Sequence, residues 1–173
     1  MKITKLIPII FSLLLFMSFG VPKSLDKKVD KEVKDVFEVG SYSFNTVAIS
    51  SELKSKLPSK ITDENMFQIR SKETLLGYVY LDKAPSKTAQ FDYLVIFDKD
   101  LKIARTKVLT YREEYGGEIG SRRWLSQFVG KSDSNSLDDI AAISGATISV
   151  RSMKNAIHNI LDSVEILHMK NII

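Results

Sequence analysis

The chain has 173 residues, 44% hydrophobic and 27% charged, with Lys+Arg 25 against Asp+Glu 21 and a formal net charge of +4. That length and mix suit one domain with a real core; they exclude extended disorder, a collagen-like chain and a multi-span membrane protein, and the charge excess is too small to point to nucleic acid. Cysteine is absent and His158 and His168 are the two histidines, which excludes disulfide frameworks, Cys-ligated zinc, iron–sulfur clusters and thiol nucleophiles and argues against a His-rich metal site or a haem held by paired His.

Met1 to Gly20 reads MKITKLIPIIFSLLLFMSFG. Lys2 and Lys5 form a short basic end, and Leu6 to Phe19 is an almost unbroken apolar run. Ser18 and Gly20 put small residues where a signal peptidase reads. This is the layout of an export signal, and the run is short for a membrane span, which needs about 20 apolar residues. Residues 1–20 are therefore expected to be a signal peptide or a retained N-terminal anchor with its basic end inside. Residues 21–173 form the domain, placed in the periplasm or on the outer face of the cytoplasmic membrane.

From Ser24 to Glu38 the pattern predicts an amphipathic helix, with Val29, Val33, Val36 and Phe37 inward and Gly40 as its end. Tyr42 to Ile49 is expected to be extended, and Ser51 to Leu57 a helical turn closed by Pro58. Met66, Phe67 and Ile69 open a sheet. Leu75 to Leu81 and Phe91 to Phe97 are strong strands, separated by a polar turn over Lys83–Thr88. Asp98-Lys99-Asp100 is turn chemistry and Leu101 to Tyr111 alternates, so a hairpin and an antiparallel sheet are predicted. Tyr115-Gly116-Gly117 is a loop. Ile119 to Val129 has helical spacing that Gly130 can end. A long amphipathic helix follows over Ile148–Leu167. The order gives an α+β domain: an antiparallel sheet flanked by helices.

The informative segment is Ser144-Gly145-Ala146-Thr147, followed by Ser149, at the start of that last long helix. A helix start offers unpaired N–H groups and the positive end of the dipole, which stabilise a phosphate. Gly145 and Ala146 leave room for a bulky ligand, and Ser144, Thr147 and Ser149 supply hydroxyls. The same residues also suit an ordinary cap and turn, and on local physics alone that is the simpler account. Other chemistry fits worse. Glu113, Glu114 and Glu118 lack the spacing of a metal site. Ser144 sits in no Gly-x-Ser-x-Gly elbow, and no Gly-x-Gly-x-x-Gly nicotinamide fingerprint occurs.

Ser144-Gly145-Ala146-Thr147 resembles the flavin-attachment motif of the FMN-binding domain family, which includes the periplasmic FMN-carrying subunits of sodium-translocating NADH:quinone reductases and of Rnf complexes. The resemblance runs from about Phe37 to about Leu161. It takes in the Gly-rich turn Arg112-Glu113-Glu114-Tyr115-Gly116-Gly117-Glu118, which matches a turn contacting the flavin region, and Arg123 to Phe128 leading towards the attachment loop. It implies FMN as cofactor, with Thr147 joined to the FMN phosphate by a phosphoester that a flavin transferase installs. Ser144, Gly145 and Ala146 would form the phosphate turn, and Glu113, Tyr115 and Trp124 are candidates to lie near the ring. It implies an electron carrier that works with membrane-associated redox partner proteins rather than a stand-alone enzyme. Ala141 stands where the transferase's target usually carries Asp. A non-covalent FMN or phospho-ligand module, and an exported interaction domain without cofactor, are the alternative readings.

Overall fold

The structure, a computed structural model, describes residues 23–173. The expectations for Met1 to Gly20 lie outside the described residues. A five-stranded sheet forms the middle layer, with strands in the order β1-β2-β3-β4-β5. These are β1 (Ser43–Thr46), β2 (Met66–Ser71), β3 (Thr74–Pro85), β4 (Gln90–Asp98) and β5 (Ile103–Thr110), and each neighbouring pair is antiparallel. Helix α1 (Lys23–Phe37) covers one face, and the long C-terminal helix α4 (Thr147–Met169) lies on the other. The predicted α+β architecture is what is observed.

Two cores explain the sequence texture. On one face Val29 and Val33 of α1 pack with Phe67, Ile69, Val79, Leu81, Leu94 and Ile96. On the other, Val150, Met153, Ile157, Ile160 and Val164 of α4 pack with Tyr78, Tyr80, Phe91, Tyr93, Val95 and Phe97. Strand β4 is thus covered on both sides, which is why Phe91 to Phe97 reads as a near-continuous apolar run. Each such side chain, fully buried, contributes roughly 1.5–3 kcal/mol.

Local boundaries differ from the sequence pattern, with three differences the most informative. Helix α1 ends at Phe37 because Glu38 takes a left-handed conformation, φ 54°; Gly40 does not end it. Strand β3 continues to Pro85, so the turn is Ser86 to Ala89 rather than Lys83 to Thr88. The reason is pairing: Lys83 lies opposite Asp92, Ala84 is buried opposite Phe91, and Pro85 closes the ladder against Gln90. A strand end is where a missing N–H is tolerated. Finally, the helix expected over Ile119 to Val129 is three short pieces, a 3-10 turn Gly117–Gly120, α3 (Arg122–Leu125) and a 3-10 turn Ser126–Phe128. Ser121 is extended between them and caps Trp124 N through its hydroxyl at 3.4 Å. The apolar spacing is nevertheless used, since Ile119, Trp124, Leu125 and Phe128 are all buried. The helical turn expected over Ser51 to Leu57 is shorter, α2 (Ser51–Lys54), capped by Ser50.

Gly77 in β3 is required by packing. A Cβ there would stand 2.0 Å from the Phe97 carbonyl oxygen and 3.0 Å from the Phe37 ring. The position is therefore closed to any side chain, and it fixes the C-terminal end of α1 over the Gly77 end of the sheet.

A candidate flavin site at the start of the last helix

The site begins with how α4 starts. Its N-cap is Ala146, which offers no side-chain hydrogen bond. The first backbone bond into the helix is Val150 N to Ala146 O at 2.9 Å. The plain capping account of Ser144 and Thr147 is thus overturned: neither hydroxyl caps the helix, and no side-chain oxygen competes for the first N–H groups. Gly145 has φ 82°, and nothing lies within 4 Å of where its Cβ would be. An anion can approach this open, positive helix end without displacing anything.

The turn alternates anchors and exposed groups. Ile140 and Ala146 are buried and Ile143 packs against the same core, while Ser144, Gly145 and Thr147 face solvent. Thr147 is the first residue of the helix, with its side chain presented outward. The two candidate roles therefore separate: buried neighbours hold the backbone, and exposed hydroxyls are left for chemistry.

Trp124 holds the segment from behind. It is 4% exposed, stacks edge-on with Phe128 at 5.2 Å, and donates its indole N–H to the Ala141 carbonyl at 2.7 Å. The Ala141 N–H in turn donates to Gln127 Oε1 at 2.9 Å. Both backbone groups of Ala141 are thus clamped by side chains of the α3 region. A buried Trp normally finds a partner for its N–H, and here that partner lies at the entrance to the Ser144–Thr147 turn.

The Gly-rich loop does come to the turn. Gly116 has φ 84°, and a Cβ on it would meet Tyr111 Oη at 2.6 Å and Ala146 Cβ at 3.7 Å. Tyr111 Oη donates to the Tyr115 carbonyl at 3.0 Å and lies 2.9 Å from the buried Ser149 Oγ. Tyr115 itself is 82% exposed, an aromatic ring left in solvent beside the turn. Sequence reasoning singled out Tyr115 and missed Tyr111, whose position at the end of an alternating strand marked it only as a strand residue.

Glu113 is placed differently from a group reaching a ligand. Its Oε1 accepts from Thr88 N at 2.6 Å, Ser86 Oγ at 2.8 Å, Ala89 N at 2.9 Å and Thr88 Oγ1 at 3.0 Å. The Thr88 backbone N–H, then the Ser86 hydroxyl, hold its carboxyl well below the usual range, at about 2. Charge-assisted bonds from several donors have this effect on a carboxylate. The group thus cinches the β3–β4 turn to the strand that leads into the Gly-rich loop. Beside it, Arg112 pairs with the buried Asp92 and donates to the Gln90 carbonyl at 2.8 Å.

A cleft of about 550 Å³ lies elsewhere, lined by residues such as Tyr78, Leu101, Val164 and His168. Its residues include none from 141–149, and its mixed lining converges on no chemistry, so the site is placed by the helix start and not by the size of a hollow.

An exposed threonyl at an uncapped helix start, a left-handed glycine beside it and a second glycine loop pressed against the same turn are thus brought together in one α+β domain. Residues 88–162 match the family model described as FMN-binding domain. That stretch runs from the β3–β4 turn through most of α4, and the match gives FMN as the cofactor. The resemblance drawn from the motif is borne out, and the cofactor-free reading is set aside. The uncapped helix end and the open space at Gly145 fit a phosphate group. No curated protein matches the chain.

Proposed function

We propose that the protein is an electron carrier at the outer face of the cytoplasmic membrane, with FMN held by a phosphoester to Thr147 Oγ1. The observation that carries this is the start of α4: Thr147 is exposed at its first position, and the N-cap Ala146 contributes no oxygen. When bound, FMN supplies one- and two-electron chemistry through its ring. The chain's own residues bind and orient. The N–H groups at the helix start face the phosphate, Gly145 keeps the approach open, and Trp124 and Tyr111 fix the two backbone segments around it. Tyr115 offers an exposed ring face beside the site.

The export layout of Met1 to Gly20 supports the address, and a covalent link prevents loss of the nucleotide to dilute surroundings. A flavin transferase would install the bond, and membrane-associated redox partner proteins would give and take the electrons. Denaturing gel electrophoresis tests the link, because flavin fluorescence stays with the unfolded chain only if it is covalent. A second reading, FMN held without a bond, is favoured by Ala141, which replaces the usual Asp of the transferase's target. In that case the gel band is dark while the native protein is yellow.

A further inference from the structure

Both long helices begin at the same end of the sheet. Along α1, Lys28 Nζ donates to the Leu109 carbonyl near the end of β5, Glu32 pairs with Arg105 and Lys107 further back, and Phe37 meets Gly77 at the opposite end. Helix α1 therefore runs antiparallel to β5, and the chain enters the domain where β5 finishes. On the other face, Ser149 at the start of α4 meets Tyr111, just past β5. The β3–β4 turn, tied to Glu113, lies at this end too.

Three lysines at this end carry free charge. The side chains of Lys27, Lys83 and Lys87 are exposed and enter no ion pair or hydrogen bond among the described residues. The nearby carboxylates are engaged internally: Asp82 with the Tyr80 hydroxyl, Asp92 with Arg112 and Glu113 with the turn. Glu114 and Glu118 are the exposed exceptions. At the far end Lys99 is paired to Asp100, with Asp133 and Glu165 beside them.

We propose that this flavin-bearing end rests on anionic lipid headgroups, with Lys27, Lys83 and Lys87 as the contacts. This deepens the reading above and rests on residues 1–20 being retained as an anchor. A chain entering at that end tethers it close to the bilayer, and unpaired lysines within a Debye length of an anionic surface are attracted to it. The Thr147 turn is thereby held at membrane level, where an embedded redox partner can be reached, and the Gly77 end points away.

The absence of cysteine makes the test direct. The full chain carrying Gln90→Cys, at the proposed contact end, or Lys102→Cys, at the far end, is labelled with a fluorophore. Each is reconstituted in vesicles containing phosphatidylserine and a headgroup-attached quencher. The Gln90→Cys label should be quenched several-fold more than the Lys102→Cys label. The difference should shrink in purely phosphatidylcholine vesicles and with Lys27→Gln, Lys83→Gln and Lys87→Gln combined. Chain washed off by alkaline carbonate contradicts the anchoring reading, and the proposal falls with it. Chain that stays bound with both labels quenched alike overturns the proposal alone. A difference unchanged in neutral lipid overturns the lysine contacts and leaves the anchor alone to set the orientation.

Discussion

The hydroxyl of Tyr111 lies 2.9 Å from the buried hydroxyl of Ser149, and so joins the end of the last strand to the first turn of the last helix. The same oxygen donates to the Tyr115 carbonyl. One side chain therefore sets the spacing between the Gly-rich loop and the Ser144–Thr147 turn.

Tyr111→Phe should lower stability by about 1–3 kcal/mol, since it removes two bonds and strands a buried hydroxyl. Adding Ser149→Ala should restore part of that loss, because no unpaired group is then left. Urea unfolding of the two single variants and the double variant measures the coupling. Additive losses would show that the contact carries no weight.

Gly116 and Gly145 share the left-handed region but not the same surroundings. Gly145→Ala faces open space, so its cost is the backbone term alone, roughly 1–2 kcal/mol. Gly116→Ala also drives a methyl group into Tyr111 Oη, 2.6 Å from the Cβ position. That oxygen is the tip of a ring held at both sides, and it cannot swing away freely. Thermal unfolding should place Gly116→Ala clearly below Gly145→Ala; the reverse order would mean the loop is looser than drawn.

Glu113 gives the fold a pH dependence with a definite sign. Its folded-state carboxyl is lowered to about 2 by donors from Thr88, Ser86 and Ala89. A depressed carboxylate contributes stability above its unfolded value and loses it as pH falls through the folded one. The contribution should therefore be intact near pH 7 and fade from about pH 4.5 towards pH 2. Glu113→Gln keeps an acceptor oxygen but cannot titrate. The gap between wild type and variant in urea midpoint should narrow across that window, and a constant gap would refute the assignment.

Much of this was legible in the sequence and some was not, for identifiable reasons. The strands and the two long helices announced themselves because each buries a whole face, so period-2 and period-3.6 patterns survive intact. The stretch from Ile119 to Phe128 kept helical spacing without forming one helix. Its apolar residues pack down against the sheet, and Ser121 breaks the backbone between them. Ser144 and Thr147 looked like caps, but a cap requires the hydroxyl to turn back on the helix, and Ala146 occupies that position. The bonds of Glu113 were unreadable because their donors lie 24 to 27 residues away in sequence. The link from Trp124 to Ala141 is of the same kind, a side chain closing on a carbonyl 17 residues on.

Trp124→Phe should leave the hydrophobic stack largely in place and remove the donor to Ala141. We expect a stability loss of about 1 kcal/mol, with a larger fall in flavin content because the entrance to the turn is released. Absorbance of bound flavin per folded chain measures it. Full flavin content in a folded variant would show that the clamp does not matter for loading.

The central claim is that Thr147 Oγ1 carries FMN. Intact mass of the full chain purified from its own cells tests it most directly. The account predicts an added FMN less the elements of water in wild type, absent from a folded Thr147→Ala variant. Wild-type chain of unmodified mass, or an adduct that survives Thr147→Ala, would contradict it.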